Sequence, residues 1–196
     1  MLSHNTRREG GVTLVELIVV IVMLAIISPL VMWFFWSTIN NFIRVQSANL
    51  LVSNETRALS RMEQVIRSGT QIDNASSTSL TIYAYFSPAD SILSKVTYTY
   101  NASQNLVTVE RIPATGTAPN YTYNAANKVT STILSGVTLK NNLFSYEDAS
   151  GGTGPFDSST FQNIKIVTID IYGVLKGNTA PTEVKSSVLI RNRRGN

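Results

Sequence analysis

The sequence predicts an α+β fold, in which one long N-terminal α-helix packs on an antiparallel β-sheet. Three observations support this: Leu17–Trp36 carries no formal charge, an apolar stripe at helical spacing follows it, and apolar and polar residues alternate after residue 78. We therefore expect a transmembrane or assembly helix at 12–36, its amphipathic continuation at 37–70 and a β-rich globular head at 71–196.

The uncharged run is long enough to cross a membrane. As a helix it spans roughly 30 Å, the thickness of the hydrocarbon core. Arg7 and Arg8 precede it and the next cation is Arg44, so the positive-inside tendency places the N-terminus in the cytoplasm and the head outside. A secretory signal peptide has a shorter apolar core with a cleavage site after it. The sequence therefore favours an anchor in the inner or cytoplasmic membrane, N-in and C-out.

The amphipathic continuation is expected to pack its apolar stripe against the sheet, with a partner-helix role as the alternative. Glu63 and Arg67 lie four residues apart on the other side of the helix. Gly69 suits a helix terminus, and the residues from Asp73 onward indicate a loop. The stripe consists of Ala58, Leu59, Met62, Val65, Ile66 and Gly69.

The predicted head is built from short alternating strands. Residues 95–112 are expected to form a β-hairpin, and Val167, Ile169 and Ile171 are expected to face the core. Loops are predicted at Pro113–Asn120 and Ala149–Thr160, which are rich in Gly and Pro. The remaining predicted strands are 80–86, 131–137, 142–146, 164–174 and 183–190.

The composition indicates a surface protein without catalytic machinery. Only 14% of the residues are charged, the formal net charge of +4 is small, and there is no cysteine. The one histidine, His4, cannot by itself form a metal site or a Ser-His dyad. We therefore expect no enzyme activity and no cofactor, and the charge does not require a nucleic-acid partner.

Two residues stand out in and beside the apolar run: Glu16 directly before it and Pro29 within it. Glu16 lies at its edge, where a carboxylate at full membrane depth costs about 2.5 kcal/mol or more, so a specific cationic or polar partner is expected. The alternative is that Glu16 extends to the lipid headgroups. Pro29 removes a helical hydrogen bond and predicts a kink or local melting.

The segment Gly10-Gly11-Val12-Thr13-Leu14-Val15-Glu16-Leu17 and the apolar run after it resemble the class III signal of type IV pilins and pseudopilins. The resemblance implies that residues 1–11 are a leader peptide and that a membrane prepilin peptidase cuts between Gly11 and Val12. It also implies N-methylation of Val12, although the family usually has Phe at this position.

The resemblance gives Glu16 an assembly role. Removal of residues 1–11 exposes a cationic amine on Val12, just over one turn from Glu16. In a bundle of helices the amine of one subunit can pair with Glu16 of its neighbour, which lowers the cost of both charges in a low dielectric. In such filaments the helix near Pro29 can loosen on assembly, but Pro29 can equally be a membrane-helix kink.

Later segments resemble minor pilins and J-type pseudopilins. The resemblance implies a minor pilin that initiates or caps a pilus and supports adhesion, twitching motility or DNA uptake. Its partners would be other pilins, prepilin peptidase and an assembly platform with its ATPase, and it would end in a filament at the cell surface. The alternatives are a pseudopilin of a type II secretion or competence system, and a signal-anchored surface domain that does not polymerise. The matching segments include Arg61-Met62-Glu63, Val109-Glu110-Arg111, Leu134-Ser135-Gly136-Val137 and Val188-Leu189-Ile190-Arg191-Asn192.

Three further groups of residues were considered as binding sites. Asp148 and Asp157 flank a Gly-rich loop that could hold calcium, although the spacing is not that of an EF-hand and a solvated loop is favoured. A basic tail could touch DNA or anionic glycans, and outward-facing tyrosines could stack bases. We favour a solvated tail and ordinary strand chemistry. The groups are Arg191, Arg193 and Arg194, and Tyr83, Tyr85, Tyr98, Tyr100, Tyr121 and Tyr123.

Overall fold

Helix α1 (Leu14–Arg67) begins the described part of the chain and contains 54 residues. The computed structural model describes residues 13–139, 141–175 and 182–190. The chain divides into two compact units, Met1–Ser47 and Ala48–Asn196. The first half of α1 belongs to the first unit and its last turns belong to the second, so each half is described with its own unit.

The described part of the first unit is helical after Thr13. All its large hydrophobic side chains from Leu14 to Val45 are exposed. Leu14–Gln46, with 33 residues, is long and apolar enough to cross a membrane, judged by length and composition. The predicted long apolar helix is therefore confirmed.

The described part of the second unit contains the end of α1 and ten strands in two antiparallel sheets. The first sheet has the order β1-β2-β3-β4, and β5 and β6 both pair with β4. In the second sheet, β9 pairs with β10, β7 and β8. The strands are β1 Gln71–Ala75, β2 Ser79–Ala84, β3 Ser94–Asn101, β4 Leu106–Thr115, β5 Thr122–Tyr123, β6 Val129–Ser135, β7 Val137–Leu139, β8 Phe144–Asp148, β9 Ile164–Leu175 and β10 Thr182–Leu189.

One core joins the end of α1 to both sheets. The predicted apolar stripe of the helix is buried throughout, including Met62 and Ile66, which are fully enclosed. The first sheet contributes Leu80, Ile82, Val96, Tyr98 and Val109, and the second contributes Phe144, Val167, Ile169, Ile171 and Val188. The expected helix-on-sheet packing and the core side of β9 are therefore confirmed.

The structure corrects four details of the predicted head. Its strands form two sheets rather than one. The expected loop at Asp73 is part of β1, which pairs with β2. A loop was expected at Pro113–Asn120, but β4 continues into it as far as Thr115. Its last residues, Ala114 and Thr115, pair with β5. Tyr98 was expected to face outward, but it is buried in the core at 1% exposure.

Glu55 is a buried charged residue that the sequence analysis did not single out. Its side chain is fully enclosed at 0% exposure, three residues before Ala58 on the stripe-bearing face of α1. The carboxyl group therefore lies among the core residues of the second unit rather than on the solvent side of the helix.

Candidate functional site

The start of α1 is organised by Thr13. Its Oγ1 accepts a hydrogen bond from the backbone N–H of Glu16 at 3.3 Å, and its carbonyl oxygen accepts one from Leu17 N–H at 3.1 Å. Thr13 is thus the N-cap, and Thr13-Leu14-Val15-Glu16 has the spacing of a capping box. The sequence analysis missed this role, although the Thr-x-x-Glu pattern is its ordinary signal.

Glu16 lies in the first turn of the helix. A carboxylate there is favoured by the partial positive charge of the exposed N–H groups at a helix start. Its side chain is exposed, and none of the described residues forms an ion pair with it. The residues predicted for cleavage and methylation, Gly11 and Val12, lie outside the described residues, as do His4, Arg7 and Arg8.

No described residue of the first unit covers the apolar surface after Glu16. Trp33 is 73% exposed and Met32 is 70% exposed. Burying one large side chain of this kind stabilises by about 1.5–3 kcal/mol. We therefore expect lipid or other helices to cover this surface in the cell. A shallow groove of about 320 Å³ lies within this surface and is lined by Ile18, Val19, Val22, Met23, Ile26 and Ile27.

Pro29 lies inside α1, and the helix continues on both sides of it. Because proline has no N–H, the carbonyl of Ala25 loses its usual helical donor. One residue earlier, Ser28 Oγ donates to the Leu24 carbonyl at 2.6 Å. Such back-bonding is a feature that bends helices. The kink at Pro29 stays a prediction.

The N-terminal segment also matches a known family model. Residues 6–28 match the prokaryotic N-terminal methylation motif. The chain carries a prepilin-type signal. No curated protein matches the chain. The motif spans the predicted cleavage position, the Thr13 cap, Glu16 and the first turns of the exposed apolar helix. The resemblance to the type IV pilin class III signal is therefore supported by an independent comparison.

The head completes an arrangement like that of type IV pilins. A long apolar N-terminal helix precedes antiparallel sheets, and the outer part of that helix packs into the head core. The signal and the arrangement are each similar to those of type IV pilins and pseudopilins.

The two acidic residues considered for calcium serve as turn caps. Asp148 Oδ1 accepts hydrogen bonds from Ser150 N–H and Oγ and from Gly152 N–H, at 2.7–2.8 Å. Asp157 Oδ1 accepts from Ser159 and Thr160 in the same way. These hydrogen bonds lower the pKa of both carboxyl groups. The largest contribution comes from the Ser150 hydroxyl at Asp148 and from the Ser159 hydroxyl at Asp157. The described residues contain no cluster of three or more potential metal ligands.

The tyrosines do not form an open stacking platform. Tyr98 is in the core, and the Tyr83 and Tyr123 rings pack on each other at 4.9 Å. Lys95 lies over the Tyr83 ring and pairs with Asp73 at 2.8 Å. These contacts join side chains of β1, β2, β3 and β5. The basic residues Arg191, Arg193 and Arg194 lie outside the described residues.

A polar groove beside the end of α1 was not anticipated. It encloses about 550 Å³ and is lined by Ser60, Glu63, Gln64, Arg67, Ser68, Tyr85, Ser87 and Pro88. Next to it, Phe86 lies between the Arg61 and Arg111 guanidinium groups, at 5.9 and 5.0 Å from the ring centre. Arg111 also pairs with Asp90 at 2.8 Å. These contacts hold the β2–β3 connection against the sheet and the helix.

Proposed function

We propose that this chain is a minor pilin, a structural subunit of a type IV pilus-like filament. The precursor is inserted N-in into the cytoplasmic membrane, and prepilin peptidase cuts it between Gly11 and Val12. The new Val12 amine is methylated, and the subunit enters the filament through its apolar helix. Its role is mechanical and interactive rather than enzymatic, at the tip or in initiation, with adhesion, motility or DNA uptake as the outcome.

One observation carries the proposal: the methylation motif at residues 6–28 overlaps the start of an apolar helix whose large hydrophobic side chains from Leu14 to Val45 are exposed. A simple membrane anchor explains the apolar surface but not the motif. Processing followed by transfer from lipid into a helix bundle accounts for both.

The physical argument gives Glu16 the task of setting register. Leaving lipid for a helix bundle provides little hydrophobic driving force, since lipid tails are as apolar as the helix. Specific polar contacts therefore decide how neighbouring helices align. The Val12 amine and the carboxylate of Glu16 on an adjacent subunit are complementary charges in a low dielectric, where leaving either unpaired is costly.

The first prediction concerns processing. Mass spectrometry of the protein purified from the cell surface should give an N-terminal peptide that begins at Val12 and carries one added methyl group. A Gly11→Trp variant, which places a bulky side chain at the cleavage position, should accumulate as the precursor. Surface material that retains Met1 in the unaltered protein would overturn the processing step.

The second prediction concerns assembly. Glu16→Gln keeps the size of the side chain but removes its charge. The variant should insert into the membrane normally but enter filaments about tenfold less than the unaltered chain. A tenfold loss corresponds to roughly 1.4 kcal/mol of lost pairing free energy. Immunoblotting of sheared filaments against membrane fractions measures the ratio.

Glu63→Gln serves as the matched control for Glu16→Gln, because Glu63 lies on the same helix within the second unit. It should leave incorporation unchanged. Equal incorporation of Glu16→Gln and the unaltered chain would reject the pairing, while leaving the processing result standing.

A further inference from the structure

Strand β6 ends the first sheet and has an open edge. It pairs with β4 on one side, and no strand in the described part of the chain pairs with its other side. Val129, Thr130, Ser131 and Thr132 are all exposed, with Val129 at 60%. This part of the strand therefore presents both of its faces and its free backbone groups to solvent.

Two other strands that end their sheets are protected. Strand β1 has a bulge, carries Asp73 in an ion pair with Lys95, and contacts the short 3-10 helix at Phe161–Asn163. Strand β10 carries Glu183 and Lys185. Charges, bulges and covering segments are the means by which proteins prevent edge-to-edge pairing.

Among the residues that the structure describes, nothing gives the exposed part of β6 any of these protections. It contains no charge, glycine or proline, and the β-branched residues valine and threonine favour strand pairing. The nearest charge, Lys128, is already paired with Glu110 at 3.0 Å. A bulge at Ile133 ends the regular pairing with β4, so the flat part of the edge is Val129–Thr132.

The side chains of this edge are complementary to themselves. Thr130-Ser131-Thr132 reads the same in both directions. An antiparallel pairing centred on Ser131 therefore places Thr130 of each copy opposite Thr132 of the other. Hydroxyl pairs of this kind already join strands within the head: Thr81 with Thr97 at 3.1 Å, and Thr168 with Ser187 at 2.8 Å. Such pairs stabilise antiparallel strands, and no like charges oppose each other.

We propose that β6 is a self-association edge, which pairs antiparallel with β6 of a second copy of this chain about a two-fold axis at Ser131. The contact is isologous, so it closes on two copies. It links the heads of two subunits and rests on the contacts of the head alone, without requiring cleavage at Gly11 or a filament.

The absence of cysteine from the chain gives a direct test. Ser131→Cys places one thiol at the centre of the proposed pairing, where opposed residues have Cα atoms about 4.5–5.5 Å apart, within the range for a disulfide. Ser187→Cys is the control, because Ser187 is also an exposed serine on an edge strand. The full chains are purified in detergent, treated with mild oxidant and analysed by non-reducing electrophoresis.

Ser131→Cys should form about tenfold more disulfide-linked dimer than Ser187→Cys. A tenfold ratio corresponds to roughly 1.4 kcal/mol of association free energy in favour of the β6 edge. Adding Thr130→Lys, a charge at an exposed position on the same edge, should reduce the Ser131→Cys dimer to the control level. Association through the apolar helices would raise cross-linking of both cysteine variants equally. Equal yields, or a yield that Thr130→Lys leaves unchanged, would overturn the proposal.

Discussion

Gly69 lies just after the end of α1 and packs closely against Ile82 of the first sheet. A Cβ atom at this position would overlap the Ile82 Cδ1 atom and lie 2.9 Å from the Ile66 carbonyl oxygen. Ile82 is fully buried, so it has little room to move. The sequence analysis placed a helix terminus at Gly69 on conformational grounds. The structure adds that the missing side chain is needed for packing.

Gly69→Ala should therefore lower the free energy of unfolding of the head by about 1–3 kcal/mol, the usual cost of overpacking a core. Urea unfolding of the full chain in detergent, followed by circular dichroism, measures the change. Gly154→Ala is the matched control, because nothing lies within 4 Å of the added atom there. Similar unfolding midpoints for the two variants would show that the core near Ile82 accommodates the methyl group.

Burial of single residues could be predicted from the sequence where apolar residues recurred at regular spacing. The prediction was wrong where a buried position is occupied by a polar side chain. Glu55 has the correct spacing to extend the stripe at Ala58 and Leu59, but its charge excluded it from the predicted core. Tyr98 was grouped with the outward-facing tyrosines, although it alternates with Thr97 and Thr99 and therefore shares the face of Val96. Periodicity was the better guide in both cases.

At the level of elements, the long helix and most strands followed from periodicity, because burial on one face imposes a period of 3.6 or 2. Strand β1 was missed because Asp73 and Asn74 are ordinary turn residues. Tertiary contacts outweigh that preference: β1 pairs with β2 from Gln71 opposite Tyr83, and Lys95 compensates the charge of Asp73. Local sequence does not contain these distant partners.

The division of the strands into two sheets could not be predicted from the sequence either. Alternation indicates which face of a strand is buried, but it does not indicate which strands pair. Strand β9 is twelve residues long and pairs with β7 and β8 along different parts of its length, as well as with β10. A chain with the same alternation could form one continuous sheet. The N-terminal methylation motif, in contrast, could be recognised from the sequence because it consists of adjacent residues.

At the scale of the whole molecule, the two units differ in how their apolar residues are covered. The head encloses its core with its own helix end and two sheets, whereas the large apolar residues of the first unit from Leu14 to Val45 are exposed. The stability of the head can therefore be measured on the chain in detergent, and it should respond to groups buried inside the head. Two tyrosines are among the titratable groups of this kind: Tyr98, which is buried, and Tyr146, which is half-buried against the same core.

Burial raises the pKa of Tyr98 and of Tyr146 above the ordinary value of a tyrosine, and the Arg61 cation opposes the rise at Tyr98 only in part. Tyr146 also donates its hydroxyl to the Ser76 carbonyl at 2.8 Å. The folded head therefore keeps both phenols protonated at a pH where the unfolded chain, with a pKa of about 10, loses these protons. Stability is fully present below pH 10 and is lost above it, by up to about 1.4 kcal/mol per pH unit for each tyrosine.

Replacement of one of these phenols should make this loss smaller. Tyr98→Phe removes one titrating group from the core and keeps the ring, so the decline in unfolding free energy between about pH 10 and 12 should be shallower by up to 1.4 kcal/mol per pH unit. Urea titrations of both chains at several pH values measure the two slopes, and the values at pH 8 give the packing effect of the substitution by itself. Parallel declines would mean that Tyr98 loses its proton in the folded head as readily as in the unfolded chain, contrary to its burial.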